Sequence, residues 1–225
     1  MFTKVIREIT VAARTGGGDP DSNPRLRLAI QTAKGVNMPS DNIERAIKKG
    51  TGSLEGASYE EIIYEGYGPA GVAIYVQCLT DNKNRTAGEV RNLFTKKNGN
   101  MAGQGSVAWL FEKKGLLVVR TDVVSEDRLM ELVLQAGALD LSRSDEHFEI
   151  LTTVTDLEAV KKALEDAGVV HESASLQMIP KNTIAVTPQE ARSLIQLIDA
   201  LEDHDDVQNV YTNGDIPDEV MKEVA

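Results

Sequence analysis

The chain has 225 residues, 41% of them hydrophobic, and carries 24 Lys and Arg against 35 Asp and Glu for a net charge of −11. That is enough apolar material for a real core, which excludes disorder of the whole, and a single cysteine, Cys78, excludes an intramolecular disulfide and a cysteine-rich zinc cage. No run approaches the roughly twenty apolar residues of a membrane span, and charges fall where a signal peptide needs its apolar stretch, so a cytoplasmic protein with no membrane partner is expected.

In the first helix Phe2, Val5, Ile6, Ile9, Ala12 and Ala13 recur at three-and-four spacing, with Lys4, Arg7 and Arg14 at the side of that stripe. Gly16-Gly17-Gly18-Asp19-Pro20 ends it. A second helix starts with Asn23 as N-cap and Pro24 at the first helical position, and turns Leu26, Ala29, Ile30 and Ala33 inward. A third opens at Pro39-Ser40-Asp41, with Glu44 placed to cap back onto Asp41, runs through Ile43, Ala46 and Ile47, and closes at Gly50.

After a linker at 51–58 the period changes. Tyr59 to Tyr67 and Gly71 to Leu79 read as strands joined by the turn Gly68-Pro69-Ala70, and Lys83 to Lys97 returns to helical spacing. Glycine-rich 98–105 leads into an expected strand at 106–111, with a hairpin through Glu112 to Gly115 linking it to Leu116–Arg120. The chain then reads helix 125–136, strands 138–141 and 147–152, helix 156–167 and strand 173–179. With Leu116–Arg120 in front this is the βαββαβ order of a ferredoxin-like domain, although the sequence leaves open which sheet owns that first strand. A strand at 183–186, a helix at 188–201 and a strand at 207–212 form a closing unit placed to complete the sheet begun at Tyr59.

Charge is unevenly divided. Residues 1–50 hold nine Lys and Arg and five Asp and Glu, a net +4, whereas residues 51–225 hold the other 15 and 30, a net −15. The cations of the three helices and of the first body helix are the strongest chemical signal, because basic helical faces track a phosphate backbone; the ordinary reading is a wet helix face. The expected contacts are Lys4, Arg7, Arg14, Arg25, Arg27, Lys34, Arg45, Lys48, Lys49, Lys83 and Arg85. Arg91, Lys96 and Lys97 extend the second basic stretch.

Signals for catalysis are weak. Gly16 to Gly18 lacks a following Gly-Lys-Ser/Thr, and Gly99 to Gly105 precedes a strand where a dinucleotide fingerprint must open a helix. His147, His171 and His204 have neither metal-ligand spacing nor a nucleophile partner, and Cys78 lies in an apolar strand as a buried thiol would. Glu202-Asp203-His204-Asp205-Asp206 is a dense set of oxygen ligands without the spacing of a calcium loop, so a solvated loop is favoured over a metal-dependent enzyme. No catalytic residue, cofactor or metal is expected.

Long ordered stretches also resemble a known family. Phe2-Thr-Lys-Val-Ile-Arg-Glu-Ile-Thr-Val-Ala-Ala-Arg14, Asn23-Pro-Arg-Leu-Arg-Leu-Ala-Ile30, Asn42-Ile-Glu-Arg-Ala-Ile-Lys-Lys-Gly50, Tyr64-Glu-Gly-Tyr-Gly-Pro-Ala-Gly-Val72, Thr80-Asp-Asn-Lys-Asn-Arg-Thr86 and Gly105-Ser-Val-Ala-Trp-Leu-Phe111 are similar to the YebC/PmpR family. Ile179-Pro-Lys-Asn182 and Asp206-Val-Gln-Asn-Val-Tyr-Thr-Asn213 extend the resemblance over essentially the whole chain. It implies an α+β protein without catalytic activity: a small N-terminal helical domain and two α/β domains around an acidic cavity. Joined to the reading above, this gives a helical domain at 1–57, an α/β domain at 58–122 plus 181–225, and a ferredoxin-like one inserted at 123–180, both α/β domains being ferredoxin-like. The resemblance further implies a cytoplasmic, DNA-binding transcriptional regulator. The alternative it implies is a translation factor that binds ribosomal or transfer RNA, since relatives including mitochondrial ones are described as translational activators and bacterial members are linked to ribosomes stalled on proline-rich sequences. Oligomeric state stays open, a monomer being the simplest case.

Two departures stand out. Members begin with a further basic segment of about two dozen residues, with a Gly-His-Ser-Lys-Trp motif, that precedes the point where this sequence starts. An acidic residue is usual at Leu139, and its replacement is expected to be a local packing change.

Overall fold

The structure, a computed structural model, describes residues 1–224. In chain order its elements are α1 (Phe2–Gly16), α2 (Pro24–Gly35), α3 (Ser40–Gly50), β1 (Glu60–Tyr67), β2 (Ala73–Thr80), α4 (Lys83–Lys96), β3 (Asn100–Ala102), β4 (Phe111–Arg120), α5 (Glu126–Gln135) and β5 (Ala138–Arg143). Then follow β6 (His147–Thr152), α6 (Leu157–Asp166), β7 (Ser173–Pro180), β8 (Ile184–Ala185), α7 (Pro188–Glu202), β9 (Val207–Thr212), β10 (Gly214–Asp215) and α8 (Asp218–Val224). The class is α+β, and the chain packs as two units, 1–109 with 182–225 and 110–181.

In the first unit, Val5, Ile9, Ala12 and Ala13 of α1 meet Leu26, Ala29 and Ala33 of α2 and Ile43 and Ala46 of α3 in one buried cluster. Small residues set the spacing. A Cβ on Gly50 would fall 2.4 Å from the carbonyl oxygen of Thr10 and 2.8 Å from the Ala13 Cβ, so the end of α3 rides directly on α1. Buried Asn23 caps α2 by accepting from the Leu26 N–H at 3.1 Å, and its Nδ2 donates to the carbonyls of Ala12 and Gly17, both at 2.8 Å. The cap expected at Asp41 is absent. The helix starts two residues earlier, with Pro39 at the N-cap position and no side-chain cap, and Glu44 lies 3.7 Å from Lys48 instead.

The same unit holds an antiparallel sheet in the order β3-β1-β2-β9, with the β1–β2 hairpin at its centre. On one face α4 and α7 supply Val90, Phe94, Leu194, Leu197 and Leu201, which pack on Ile74, Val76, Cys78 and Val207. Each such fully buried side chain is worth about 1.5–3 kcal/mol against exposure. β9 completes the sheet begun at Tyr59, as the sequence suggests, whereas β8 is only two residues long and pairs in parallel with β10 apart from that sheet.

The expected strand at 106–111 and the hairpin at 112–115 do not form. β4 runs unbroken from Phe111 to Arg120, and the glycine-rich stretch contributes the short β3 instead. The reason lies in Glu65 of β1, whose carboxylate is 3% exposed and accepts from the backbone N–H groups of Gly105, Val107 and Ala108 at 2.6, 2.7 and 2.8 Å. Those donors are withdrawn from any ladder.

The second unit owns β4. It pairs antiparallel with both β6 and β7, giving the order β5-β6-β4-β7 along a βαββαβ path. The unit therefore begins at Leu110, twelve residues before the boundary read at Asp122, because strand pairing carries 111–120 away from the first sheet. Leu117, Val119, Phe148 and Ile150 face Leu129, Val133, Val160 and Leu164 of α5 and α6. Leu139 sits at a bulge in edge strand β5 and is 52% exposed, so the departure there is a surface change and not the packing change expected. Among the described residues no helix is long and apolar enough to cross a membrane.

Candidate nucleic-acid interface

Periodicity places the eleven cations on helices, but their side chains divide into two groups. Five are held by partners within the first unit. Lys4 Nζ donates to the carbonyl of Glu202, the last residue of α7, where a cation suits the negative end of the helix. Arg14 donates to Ser58 Oγ at 2.7 Å and to the Tyr59 carbonyl, tying α1 to the linker before β1. Arg25 grips Glu8 through Nε and Nη2 at 2.7 and 3.0 Å and reaches Glu61 of β1 through Nη1, and these carboxylates push its pKa further up.

Arg7 and Arg85 converge on Asp206. The Asp206 side chain is 2% exposed; its Oδ1 accepts from Arg7 Nη1 at 2.5 Å, and its Oδ2 from Arg85 Nη2 at 2.7 Å and from the Thr86 hydroxyl at 2.5 Å. Arg7 is itself 11% exposed, also donates to the Asp205 carbonyl at 2.5 Å, and stacks its guanidinium 5.3 Å from the centre of the Tyr59 ring. Burial pushes the Asp206 carboxyl up, but the hydrogen bonds from Thr86 and Arg85 and the charges of Arg7 and Arg85 outweigh it and hold the pKa at about 2. This pair of arginines fastens α1 and α4 to the start of β9.

The acidic run at 202–206 is therefore a structural hub. Glu89, His204 and Asp206 each offer a ligand atom within 4.8 Å of the others. Yet the Asp206 N–H donates to His204 Nδ1 at 3.0 Å, which fixes the ring proton on Nε2, where it donates to Glu89 at 2.8 Å. Two guanidinium groups already satisfy the Asp206 oxygens and repel a cation, so the donor set suits a closed network and not a metal. The sequence offers Asp206 only as one oxygen ligand of the 202–206 run, and neither its pairing with the arginines nor the part played by Thr86 is visible there.

The other six candidates, Arg27, Lys34, Arg45, Lys48, Lys49 and Lys83, remain at the surface. Among the described residues Arg27 makes only a 3.4 Å contact with the Asp21 carbonyl, and Lys48 only the 3.7 Å approach to Glu44 on its own helix. Among the described residues Lys34, Arg45, Lys49 and Lys83 form no ion pair, and neither do Arg91, Lys96 and Lys97 of the α4 region. Ile43, Ala46 and Gly50 bury one side of α3, which leaves Arg45, Lys48 and Lys49 on its wet side.

The chain resembles known proteins along nearly its full length. The model for the N-terminal domain of TACO1/YebC proteins matches residues 1–53, and that for the TACO1/YebC second and third domains matches 59–214. A probable transcriptional regulatory protein of Desulfotalea psychrophila is 54% identical over 226 aligned positions, covering 100% of this chain and 90% of its own length. One from Geobacter sulfurreducens is 57% identical over 224, with 100% and 90% covered. The crystal structure of a conserved hypothetical protein from Aquifex aeolicus is 49% identical and superposes with a TM-score of 0.87 over 96% of this chain and 89% of that one.

Proposed function

The chain belongs to the TACO1/YebC family, and from that membership we propose that it is a non-enzymatic, DNA-binding transcriptional regulator whose outward cations hold the phosphate backbone. The observation that carries this reading is the sorting of the basic residues. Carboxylates and carbonyls of the fold consume Lys4, Arg7, Arg14, Arg25 and Arg85, while Lys34, Arg45, Lys49 and Lys83 stand exposed with no ion-pair partner among the described residues. Unpaired cations on short helices repel one another and stabilise nothing internally; a polyanion supplies their missing partner. The acidic remainder of the surface limits binding to this part of the molecule.

Titrating a duplex DNA with the chain at several salt concentrations tests the reading. Six phosphate contacts give a slope of log K against log salt near about −5, and about a thousand-fold loss of affinity between 50 and 200 mM salt. Affinity that does not change with salt refutes it. Tighter, salt-sensitive binding to ribosomal RNA than to DNA transfers the same cations to the translation reading.

A further inference from the structure

Helix α4 carries a glycine in its interior that nothing inside the chain requires. A Cβ on Gly88 would meet no atom within 4 Å, and Gly88 is not among the residues with positive φ. The contrast with Gly50 and Gly66 is direct, since a Cβ on either would strike backbone oxygen at 2.4 and 2.6 Å. Glycine is the poorest helix former after proline, so its presence at an open helical position costs stability without an internal return.

Its surroundings point outward. Thr86, Val90 and Phe94 are the buried residues of α4, and at 100° per residue Gly88 lies almost opposite them. Asn84, Gly88, Asn92 and Thr95 are all exposed and run in one line along the helix, four, four and three residues apart. Arg91 flanks this uncharged line on one side and Arg85 and Lys96 on the other. The carboxylates of the segment are already engaged, Asp81 with Arg85 at 3.1 Å and Glu89 with His204 at 2.8 Å. Lys83, Arg91 and Lys96 therefore have no ion-pair partner among the described residues.

We propose that this face of α4 docks on duplex DNA, with Asn84 and Asn92 turned to base edges in the major groove, Gly88 at the point of closest approach, and Arg91 and Lys96 on the phosphates to either side. The B-form major groove admits an α-helix, and an Asn amide pairs with the N6 and N7 of adenine; the A-form groove of duplex RNA is too narrow for either. A side chain at 88 would hold the helix away from the groove floor. The inference rests on the DNA-binding reading above and adds to it a second surface.

The full chain and its variants are compared by anisotropy with a labelled 30-base-pair duplex DNA and a duplex RNA of the same length, and by thermal melting. G88A and G88L are expected to melt at or above the parent temperature while binding DNA more weakly, G88L by about ten-fold or more, the scale of one lost bidentate base contact. N84A/N92A is expected to weaken binding with the salt slope unchanged, and R91A to lower that slope by about one unit. Parent-like DNA binding by G88L, with the parent chain still salt-sensitive, overturns the α4 surface and leaves the broader reading standing. A parent chain that ignores duplex DNA, or prefers duplex RNA, overturns both.

Discussion

Replacing Asp206 with Asn removes one charge from a site built around it. The carboxyl is held at about 2 against an ordinary 3.8, a difference of nearly two pH units, which corresponds to about 2.5 kcal/mol of stabilisation at neutral pH. Asn keeps the shape and one acceptor but turns an amide N–H₂ toward one of its donors, and it leaves Arg7 buried without a counter-charge. The Arg7 Nε already lacks a hydrogen-bond partner. Breaking a buried pair in this way costs about 3–5 kcal/mol, so a loss near 3 kcal/mol is expected for D206N at pH 7. Because folding depresses the carboxyl's pKa, its contribution is complete above the unfolded value near 4 and disappears as pH falls through the folded value near 2. Urea titrations at pH 7, 5.5 and 2.5, followed by hydrogen exchange at α1 and β9, therefore show a gap between parent and variant that is full at the first two and narrows at the third. Exchange in 110–181 serves as the internal reference. A gap under about 1 kcal/mol at pH 7, or one that stays constant into acid, refutes the reasoning. Arg85→Ala costs less, about 1 kcal/mol, because its side chain is 42% exposed and shared with Asp81.

Glu65→Gln keeps the length of the side chain but sets an N–H₂ among three backbone donors. Burial pushes the Glu65 carboxyl up and the three N–H groups hold it below its usual value; the amide loses the charge and the acceptor for at least one of those donors, which is expected to cost about 2–3 kcal/mol and to weaken hydrogen-exchange protection over 103–108. Gly50→Ala forces a methyl against the Thr10 carbonyl and should lower stability in urea titration by about 1–3 kcal/mol, the reverse of the effect expected at Gly88. Burial pushes the Cys78 thiol up to about 12, so a thiol reagent at pH 8 should modify it only on the timescale of unfolding; fast labelling of the native chain would contradict the burial. Removing Lys34, Arg45, Lys48 and Lys49 together should reduce the salt slope of DNA binding by about three to four units with the melting temperature nearly unchanged.

Local chemistry was legible in the sequence wherever its cause is local. The apolar stripe of α1, Asn23 with Pro24 at the start of α2, and the βαββαβ order of the second unit follow from repeats and caps that act over a few residues. The same reasoning misplaced the strand after Gly105, because a carboxylate 40 positions earlier takes its N–H groups. It also left β4 without a sheet, since strand pairing is a choice between partners that alternation cannot express. The charge division between residues 1–50 and the rest was countable from the start. Which of those cations remain for a partner was decided only by the tertiary structure, because a salt bridge depends on distance in space, and Arg7 finds its carboxylate 199 positions along the chain.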